Sequence, residues 1–488
     1  MIKENLDSTS EQFLKNSDSR LINEDLAPTT KEKRTWGTYN YTALWIGMAH
    51  CIPTYMLASG LIAAGMNWKQ ALFTVLLGNL IVLIPMLLNS YAGTKYGIPF
   101  PVLCRSSFGI LGSNIPAVLR AVVACGWFGI QTWIGGQALN TLLSSAIPSW
   151  SHLAFGPAIS FFLFWFLNML IIWNGMSSVR YFEGWAAPFV LFATIGLLIW
   201  AVQKAHGFGP ILSSPGRLTH FSDFFKVFIP SLTGMIGFWS TLSLNMPDFT
   251  RYSKGQEEQM VGQILGLPTT MTFFAGLGVM ITSATIVIFG KPIWDPIHLL
   301  SHFHNPLVIA LSLFTIAVAT LSVNVAANVV SPSFDFSNLW PQKINFVIGG
   351  TITGIIGIIM MPWKLMSSYS AYIFGWLVGY SGILGPVAGI LIADFWIVRK
   401  KILNVPDLYK MKGEYTYLGG FNIKGIVALF FGIAGALIGL LIPTLHFLYD
   451  YAWFVGFGIS FLLYIVLAKL DRQDSSAPPG NEEKSLSS

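Results

Sequence analysis

The first long apolar segment contains the sequence Gly47-Met48-Ala49-His50-Cys51-Ile52-Pro53. These residues predict a break in a helix, and this break decides how the chain folds. Pro53 supplies no backbone donor and disturbs the helical turn that precedes it. Carbonyl groups are thereby released in the middle of an apolar segment, which a membrane tolerates only where the backbone lines a cavity. The sequence therefore predicts an interrupted membrane helix with a cavity beside residues 50–53.

Lipid must cover most of the surface of this chain. Hydrophobic residues make up 53% of its 488 residues and charged residues only 10%, whereas a soluble domain carries about a quarter charged residues. The net charge of +6 comes from basic residues spread over short loops, which is not the signature of a nucleic-acid partner. Cys51, Cys104 and Cys125 form no CxxC pair, which predicts free thiols.

The apolar segments predict an all-α polytopic membrane protein. A helix needs about 20 apolar residues to cross a bilayer, and about 12 segments of that kind can be recognised. We predict the following spans, numbered one to twelve in chain order: Thr42–Met66, Gln70–Asn89, Asn114–Ser144, Gly156–Trp173, Trp185–Val202, Lys226–Asn245, Leu265–Phe289, Pro306–Val330, Phe346–Met361, Ser368–Ile397, Gly425–Ile442 and Tyr451–Leu470.

Lysine and arginine residues predict the orientation of these spans, because such residues concentrate in cytoplasmic loops. Most of them fall on one side if both termini are cytoplasmic, and the loop at residues 144–153 on the other side has none. We therefore expect a multi-pass protein of the cell membrane with both termini inside. Arg120, within span three, is expected to extend its side chain towards the inner membrane surface.

Span six has the same irregular character as span one. It contains Gly234 and Gly237 and ends in Asn245-Met246-Pro247-Asp248. Interrupted helices at corresponding places point to a binding site between inverted repeats, so we predict a five-plus-five inverted repeat followed by two extra helices. The predicted parts are a cytoplasmic N-terminal tail at 1–35, a first repeat at 36–202, a second repeat at 203–400, a cytoplasmic loop at 401–424, spans eleven and twelve at 425–471 and a disordered C-terminal tail at 472–488.

Polar side chains inside the predicted spans are candidates for a binding site, because hydrocarbon offers them no partner. Trp127 and Gln131 of span three are four residues apart and share a helix face, as do Asn324 and Asn328 of span eight. One indole and three amides could enclose a flat polar ring by stacking and hydrogen bonding. Each residue also has a structural interpretation, since membrane tryptophans pack at interfaces, single asparagines join helices, and His50 can be an internally satisfied histidine.

The segments that carry these residues resemble the nucleobase:cation symporter-1 family, and especially its hydantoin, allantoin and uracil permease branch. The likeness runs in order from about Leu26 to Leu470. The segments that carry it are Leu44–Tyr55, Gly93–Phe100, Trp127–Thr132, Asn245–Arg251, Ser322–Asn328 and Leu384–Asp394.

The resemblance implies a leucine-transporter-like fold and a planar substrate held by indoles and amides. The stacking indoles would be Trp127 and Trp239, the hydrogen-bonding amides Gln131 and Asn328, and Asn324 would shape the pocket beside them. The family's coupling-cation site lies between spans one and eight. Its positions here are the carbonyls of Gly47, His50 and Ala319 and the hydroxyl of Ser322.

Three positions depart from the family pattern. Cys51 replaces an amide side chain, and Phe238 stands where the family has a glycine, which makes a small ring such as uracil or unsubstituted hydantoin a better fit than a bulky aryl hydantoin. Val323 replaces a threonine hydroxyl, and the loss of an oxygen ligand weakens a sodium site. Sodium is the ion that the family implies, and protons are the alternative because His50 can titrate beside the site.

The sequence as a whole predicts a secondary active transporter, not an enzyme, that imports a ureide or nucleobase-type ring such as allantoin, hydantoin or uracil by alternating access. A proton-coupled carrier of a pyrimidine is the alternative. A channel or an intramembrane enzyme are further alternatives, although the sequence has neither HExxH nor GxSxG. We expect no cofactor beyond the coupling ion Na⁺ or H⁺, no nucleic-acid partner, a shell of membrane lipid and a monomer.

Overall fold

The structure is a computed structural model and describes residues 13, 17–174, 191–303 and 305–476. Two isolated β-bridges, Trp36–Ser253 and Leu418–Phe421, accompany its helices. The helices of the first half are α1 Thr38–Ala49, α2 Ile52–Ala63, α3 Trp68–Tyr96, α4 Phe100–Phe108, α5 Asn114–Ala146, α6 Gly156–Trp173, α7 Leu191–Lys204, α8 Phe208–Ser213, α9 Phe221–Phe238, α10 Ser240–Asn245 and α11 Pro247–Thr250. Those of the second half are α12 Gln256–Phe289, α13 Pro296–Leu300, α14 Pro306–Asn328, α15 Val330–Leu339, α16 Phe346–Ile359, α17 Pro362–Leu365, α18 Ala371–Val398, α19 Ile423–Leu440, α20 His446–Asp450 and α21 Ala452–Ser476.

The predicted spans coincide with helices or with consecutive pairs of helices. Span five is described only from residue 191, so its predicted beginning at 185–190 lies outside the described residues. In the described part of the chain, eight helices are long and apolar enough to cross a membrane, and the bent pair α1–α2 makes a ninth. Spans five and nine are the shorter helices α7 and α16, and span six is the interrupted pair α9–α10.

The break in span one falls where the sequence predicts it. The axes of α1 and α2 are bent by 60°. The two residues between them leave the helical conformation, with φ −81° and ψ 68° at His50 and φ −137° and ψ 158° at Cys51. Pro53 lies in the first turn of α2, where a helix needs no backbone donor.

Span six is interrupted at Trp239, whose backbone has φ −104° and ψ 6° between α9 and α10. Gly234 and Gly237 lie in the last turns of α9. A β-carbon at Gly237 would lie 2.5 Å from the carbonyl oxygen of Leu377. Gly237 therefore allows the backbones of spans six and ten to approach each other at the break.

The helices pack in two groups. In one group, span seven contacts spans one and two, and span two also contacts span six. In the other group, span three contacts spans four, eight and nine. Each predicted repeat thus contributes two adjacent spans to each group, as an inverted repeat requires. Spans eleven and twelve pack on each other and on span ten.

The predicted cytoplasmic side is closed by the N-terminal segment and the loop after span ten. Leu26 of that segment is fully buried. Arg105 of α4 donates to the carbonyls of Leu21 and Leu408 and to the side-chain oxygen of Asn338. Burial lowers the pKa of the Arg105 guanidinium to about 10, so it remains charged at neutral pH. The last helix continues to Ser476, a few residues into the predicted C-terminal tail.

A buried ion pair joins span three to the helix that follows span eight. Arg120 Nη1 lies 2.9 Å from Asp335 Oδ2, and the two side chains are 1% and 0% exposed. The expected extension of Arg120 to the membrane surface is therefore wrong, because a buried carboxylate holds its guanidinium inside the protein.

Replacing Arg120 with alanine should destabilise the protein strongly. The variant leaves Asp335 as a buried carboxylate without its cation, and loss of one partner of such a pair costs about 3–5 kcal/mol. The midpoint of thermal unfolding of purified protein in detergent should fall, and the double variant Arg120→Ala/Asp335→Ala should recover much of the loss. An unchanged midpoint for Arg120→Ala alone would contradict the importance of this pair.

Candidate functional site

A small cavity lies where the breaks of spans one and six face spans three and eight. Its volume is about 30 Å³. The residues that line it are Met48, Cys51, Pro53, Trp127, Gln131, Phe238, Trp239, Thr241, Leu242, Val323, Ala327 and Asn328.

The structure brings six of the seven residues predicted to contact a substrate to this cavity: Cys51, Trp127, Gln131, Phe238, Trp239 and Asn328. The seventh, Asn324, lies one helical turn from Asn328 and bonds to it. Sequence reasoning missed four lining residues, namely Met48, Thr241, Leu242 and Ala327. These are small or apolar side chains of ordinary membrane helices, and no local pattern distinguishes them from lipid-facing residues.

The two indoles are both in contact with the ring of Phe238. The phenyl centroid is 5.1 Å from that of Trp127 and 4.8 Å from that of Trp239, with interplanar angles of 75° and 85°. Trp239 also packs edge to face on Trp45, with centroids 5.1 Å apart. Phe238 therefore limits the space beside both indoles, as its size predicts.

Two fully buried polar atoms of the lining residues have no hydrogen-bond partner among the described residues. They are Trp239 Nε1, a donor, and Gln131 Oε1, an acceptor. Both residues are 4% exposed. An unsatisfied buried polar group costs about 1–3 kcal/mol, so the pair is explained if a bound molecule supplies the missing partners.

Asn324 anchors span eight to spans three and four. Its Nδ2 lies 3.2 Å from Phe128 O, 3.1 Å from Thr132 Oγ1 and 3.1 Å from Asn168 Oδ1. Its Oδ1 accepts from Asn328 Nδ2 at 2.9 Å. These bonds engage both ends of the Asn324 amide and orient Asn328, whose Oδ1 remains to accept from a ligand.

The predicted cation positions lie at the break of span one and on the adjacent span eight. The Cys51 amide donates to Ala49 O at 3.0 Å instead of to Gly47 O, its partner in a continuous helix. There is open space beside the α-carbon of Gly47. Ala319 is buried, and the side chain of Ser322 lies outside the described part of the structure. The described residues form no cluster of three acidic, histidine or cysteine ligands.

His50 lies at the end of α1 and is 4% exposed. Its Nδ1 is 2.6 Å from Ile46 O, and its ring packs on Phe274 with centroids 4.9 Å apart. Its Nε2 has no partner in the described residues. One ring nitrogen is thus satisfied internally, and the other is available to a proton or a ligand.

Span ten contributes aromatic residues that the sequence analysis did not assign to the site. Tyr372, Trp376 and Tyr380 lie with ring centroids 6.1, 6.4 and 6.4 Å from that of Trp127. Their spacing of four residues places them along one helix face. The repeated aromatic spacing is the sequence signal that could have revealed this face, but it does not show which helix the face meets.

These features together define a membrane carrier, since two groups of spanning helices enclose a buried polar site at two helix breaks. The chain belongs to the family of permeases for cytosine and purines, uracil, thiamine and allantoin, whose family model matches residues 28–456.

Individual relatives agree with this assignment. The chain is 47% identical over 462 residues to the allantoin permease of Bacillus subtilis (strain 168), covering 93% of this chain and 94% of that protein. It is 42% identical over 479 residues to the purine-uracil permease NCS1 of Arabidopsis thaliana, covering 94% and 80%. A solved structure of Mhp1, a nucleobase-cation-symport-1 family transporter in a closed conformation with bromovinylhydantoin bound, matches with a TM-score of 0.77 at 24% identity over 93% of this chain and 96% of that one.

The comparisons confirm the family resemblance, the all-α polytopic fold with inverted repeats and the transporter class. The chain is therefore a permease and not an enzyme. Its cargo is a small molecule, as for the family as a whole.

Proposed function

We propose that this chain is a cation-coupled symporter that imports a small planar ring of the ureide or nucleobase type, such as allantoin, hydantoin or uracil. The observation that carries the proposal is the unpartnered pair Trp239 Nε1 and Gln131 Oε1 in a buried cavity walled by the indole of Trp127. The relatives named for allantoin, uracil and purine transport support it, as does the hydantoin bound to Mhp1.

The chemistry of such rings matches the free polar atoms of the cavity. Allantoin, hydantoin and uracil all present alternating C=O and N–H groups along their edges. A ring carbonyl would accept from Trp239 Nε1, while ring N–H groups would donate to Gln131 Oε1 and to Asn328 Oδ1. The face of Trp127 would supply stacking, which suits a flat conjugated ring.

The size of the site favours the smaller members of this class. The cavity is small, at about 30 Å³, and we expect its walls to separate as a ring enters. Phe238 limits the space beside both indoles, and Cys51 offers only a weakly hydrogen-bonding thiol. We infer that unsubstituted rings are transported better than rings with aryl substituents.

Alternating access would use the two groups of helices as moving parts. In this proposal residues 36–202 and 203–400 are the inverted repeats, and the groups rock about the central site. Both termini are in the cytoplasm and lipid surrounds the spans in the cell membrane. One chain supplies every wall of the cavity, which supports a monomer as the transporting unit.

The coupling ion would bind between spans one and eight, on the carbonyls of Gly47, His50 and Ala319 and the hydroxyl of Ser322. The ion raises the affinity of one state for substrate and thereby couples the two gradients. Sodium is one candidate. Protons are the other candidate. Val323 in the lining offers no oxygen ligand for sodium, and the Nε2 atom of His50 has no partner in the described residues.

Uptake into proteoliposomes should be concentrative and gradient-driven. Purified protein should accumulate labelled allantoin, uracil or hydantoin above equilibrium when an inward gradient of Na⁺ or of H⁺ is imposed, and the unlabelled rings should compete. Uptake that ignores a sodium gradient but collapses with the proton gradient would remove the sodium version. Entry of all three rings that never exceeds equilibrium under either gradient would contradict symport.

Alanine at Trp127 and Asn328 together should abolish saturable uptake. The double variant removes the stacking face and one of the acceptors, whereas the fold retains the Asn324 bonds to spans three and four. Surface amount and thermal midpoint serve as controls for folding, and Asn174→Ala is a matched control because Asn174 is exposed and its side-chain amide donates to Leu170 O of its own helix. Uptake at the unmodified rate by the double variant would exclude this cavity as the substrate site.

A further inference from the structure

Tyr380 of span ten lies at the meeting point of spans three, six and ten. Its side chain is 4% exposed, and its ring packs edge to face on Trp376 with centroids 4.8 Å apart. Its centroid is 6.4 Å from that of Trp127. The residue does not belong to the cavity lining described above, so any effect of Tyr380 on the site acts through a neighbour.

The hydroxyl of Tyr380 links the indole of span three to the backbone of span six. Trp127 Nε1 donates to this hydroxyl at 3.2 Å, and the hydroxyl donates to Gly237 O at 2.7 Å. Gly237 lies two residues before the interruption at Trp239. The close approach of spans six and ten depends on glycine at position 237, because a β-carbon there would lie 2.5 Å from Leu377 O on span ten.

We infer that Tyr380 is a positioning residue for substrate recognition: its hydroxyl fixes the indole plane of Trp127 relative to the break in span six. The inference rests on the proposed function, since it takes the indole as the stacking surface. A tryptophan side chain has two rotatable bonds, and a hydrogen bond at its one donor selects a single ring orientation. The substrate then meets a stacking face that is already in place, which lowers the entropy lost on binding.

A second consequence concerns which donor the substrate meets. The N–H of Trp127 is engaged by Tyr380, whereas the N–H of Trp239 has no partner in the described residues. The indole of Trp127 therefore offers the substrate only its ring face, and the indole of Trp239 offers its N–H as a donor for a ring carbonyl. This division of roles depends on a hydroxyl at position 380.

A purely structural role would have a different signature. Tyr380 also fills space between three helices, and loss of that packing would reduce the amount of folded protein without changing the apparent affinity of what remains. Tyr380→Phe keeps the ring and removes only the hydroxyl. The useful readout is therefore the KM for uptake, measured separately from the maximal rate per folded molecule.

The test compares Tyr380→Phe with Tyr409→Phe in uptake of the ring that the unmodified protein transports. Tyr409 is a matched control, because it is fully buried, donates its hydroxyl to one backbone carbonyl, Leu26 O at 2.7 Å, and does not line the cavity. We expect the KM of Tyr380→Phe to rise about fivefold to tenfold, the effect of one lost hydrogen bond, with the maximal rate per molecule within about twofold. The KM of Tyr409→Phe should not change.

A double-mutant cycle with Trp127→Phe isolates the bond itself. Because Trp127→Phe removes the donor, Tyr380→Phe should raise the KM much less in that background than in the unmodified protein.

The outcomes separate this inference from the proposed function. An unchanged KM for Tyr380→Phe, or an equal KM increase in both backgrounds, overturns the positioning role while leaving the cavity as the substrate site. Full uptake by the variant with alanine at Trp127 and Asn328 would instead overturn the site, and with it this inference.

Discussion

A backbone that leaves the helical conformation in apolar surroundings must find a partner for each peptide group that it frees, and this constraint shapes the whole site. The chain breaks at His50–Cys51 and at Trp239. Span ten places a tyrosine hydroxyl against the backbone beside each break. Tyr372 donates to Pro53 O at 3.2 Å and Tyr380 donates to Gly237 O at 2.7 Å. Span ten therefore supports the backbone next to both breaks, and the polar cavity lies beside them.

Much of this arrangement could be predicted from the sequence, because the relevant signals are local. Pro53 marks the first break, and the four-residue spacing of Trp127 and Gln131 places both on the face that meets the cavity. The span boundaries follow from apolar length, which is why α6 matches its prediction at both ends. Span six was predicted less well at its start, since α9 begins at Phe221 and not at Lys226.

The features that could not be predicted depend on which helices meet. Arg120 was expected at the membrane surface, but its partner Asp335 is 215 residues away in the chain, and no local pattern reveals such a pair. The same holds for the Asn324 bonds to spans three and four and for the aromatic face of span ten. Only the packing of the helices shows which side chains Asn324 bonds to and that the aromatic face of span ten meets Trp127.

In the proposed function the cavity beside the break in span one holds the transported ring, and Cys51 allows this occupancy to be measured directly. Cys51 lines the cavity, and the other two cysteines, both fully buried, can be replaced with alanine. The rate at which N-ethylmaleimide modifies Cys51 should fall as the transported ring is added, with half of the effect at the concentration that half-saturates uptake. A rate that stays constant at saturating substrate, in protein that still transports the ring, would contradict the claim.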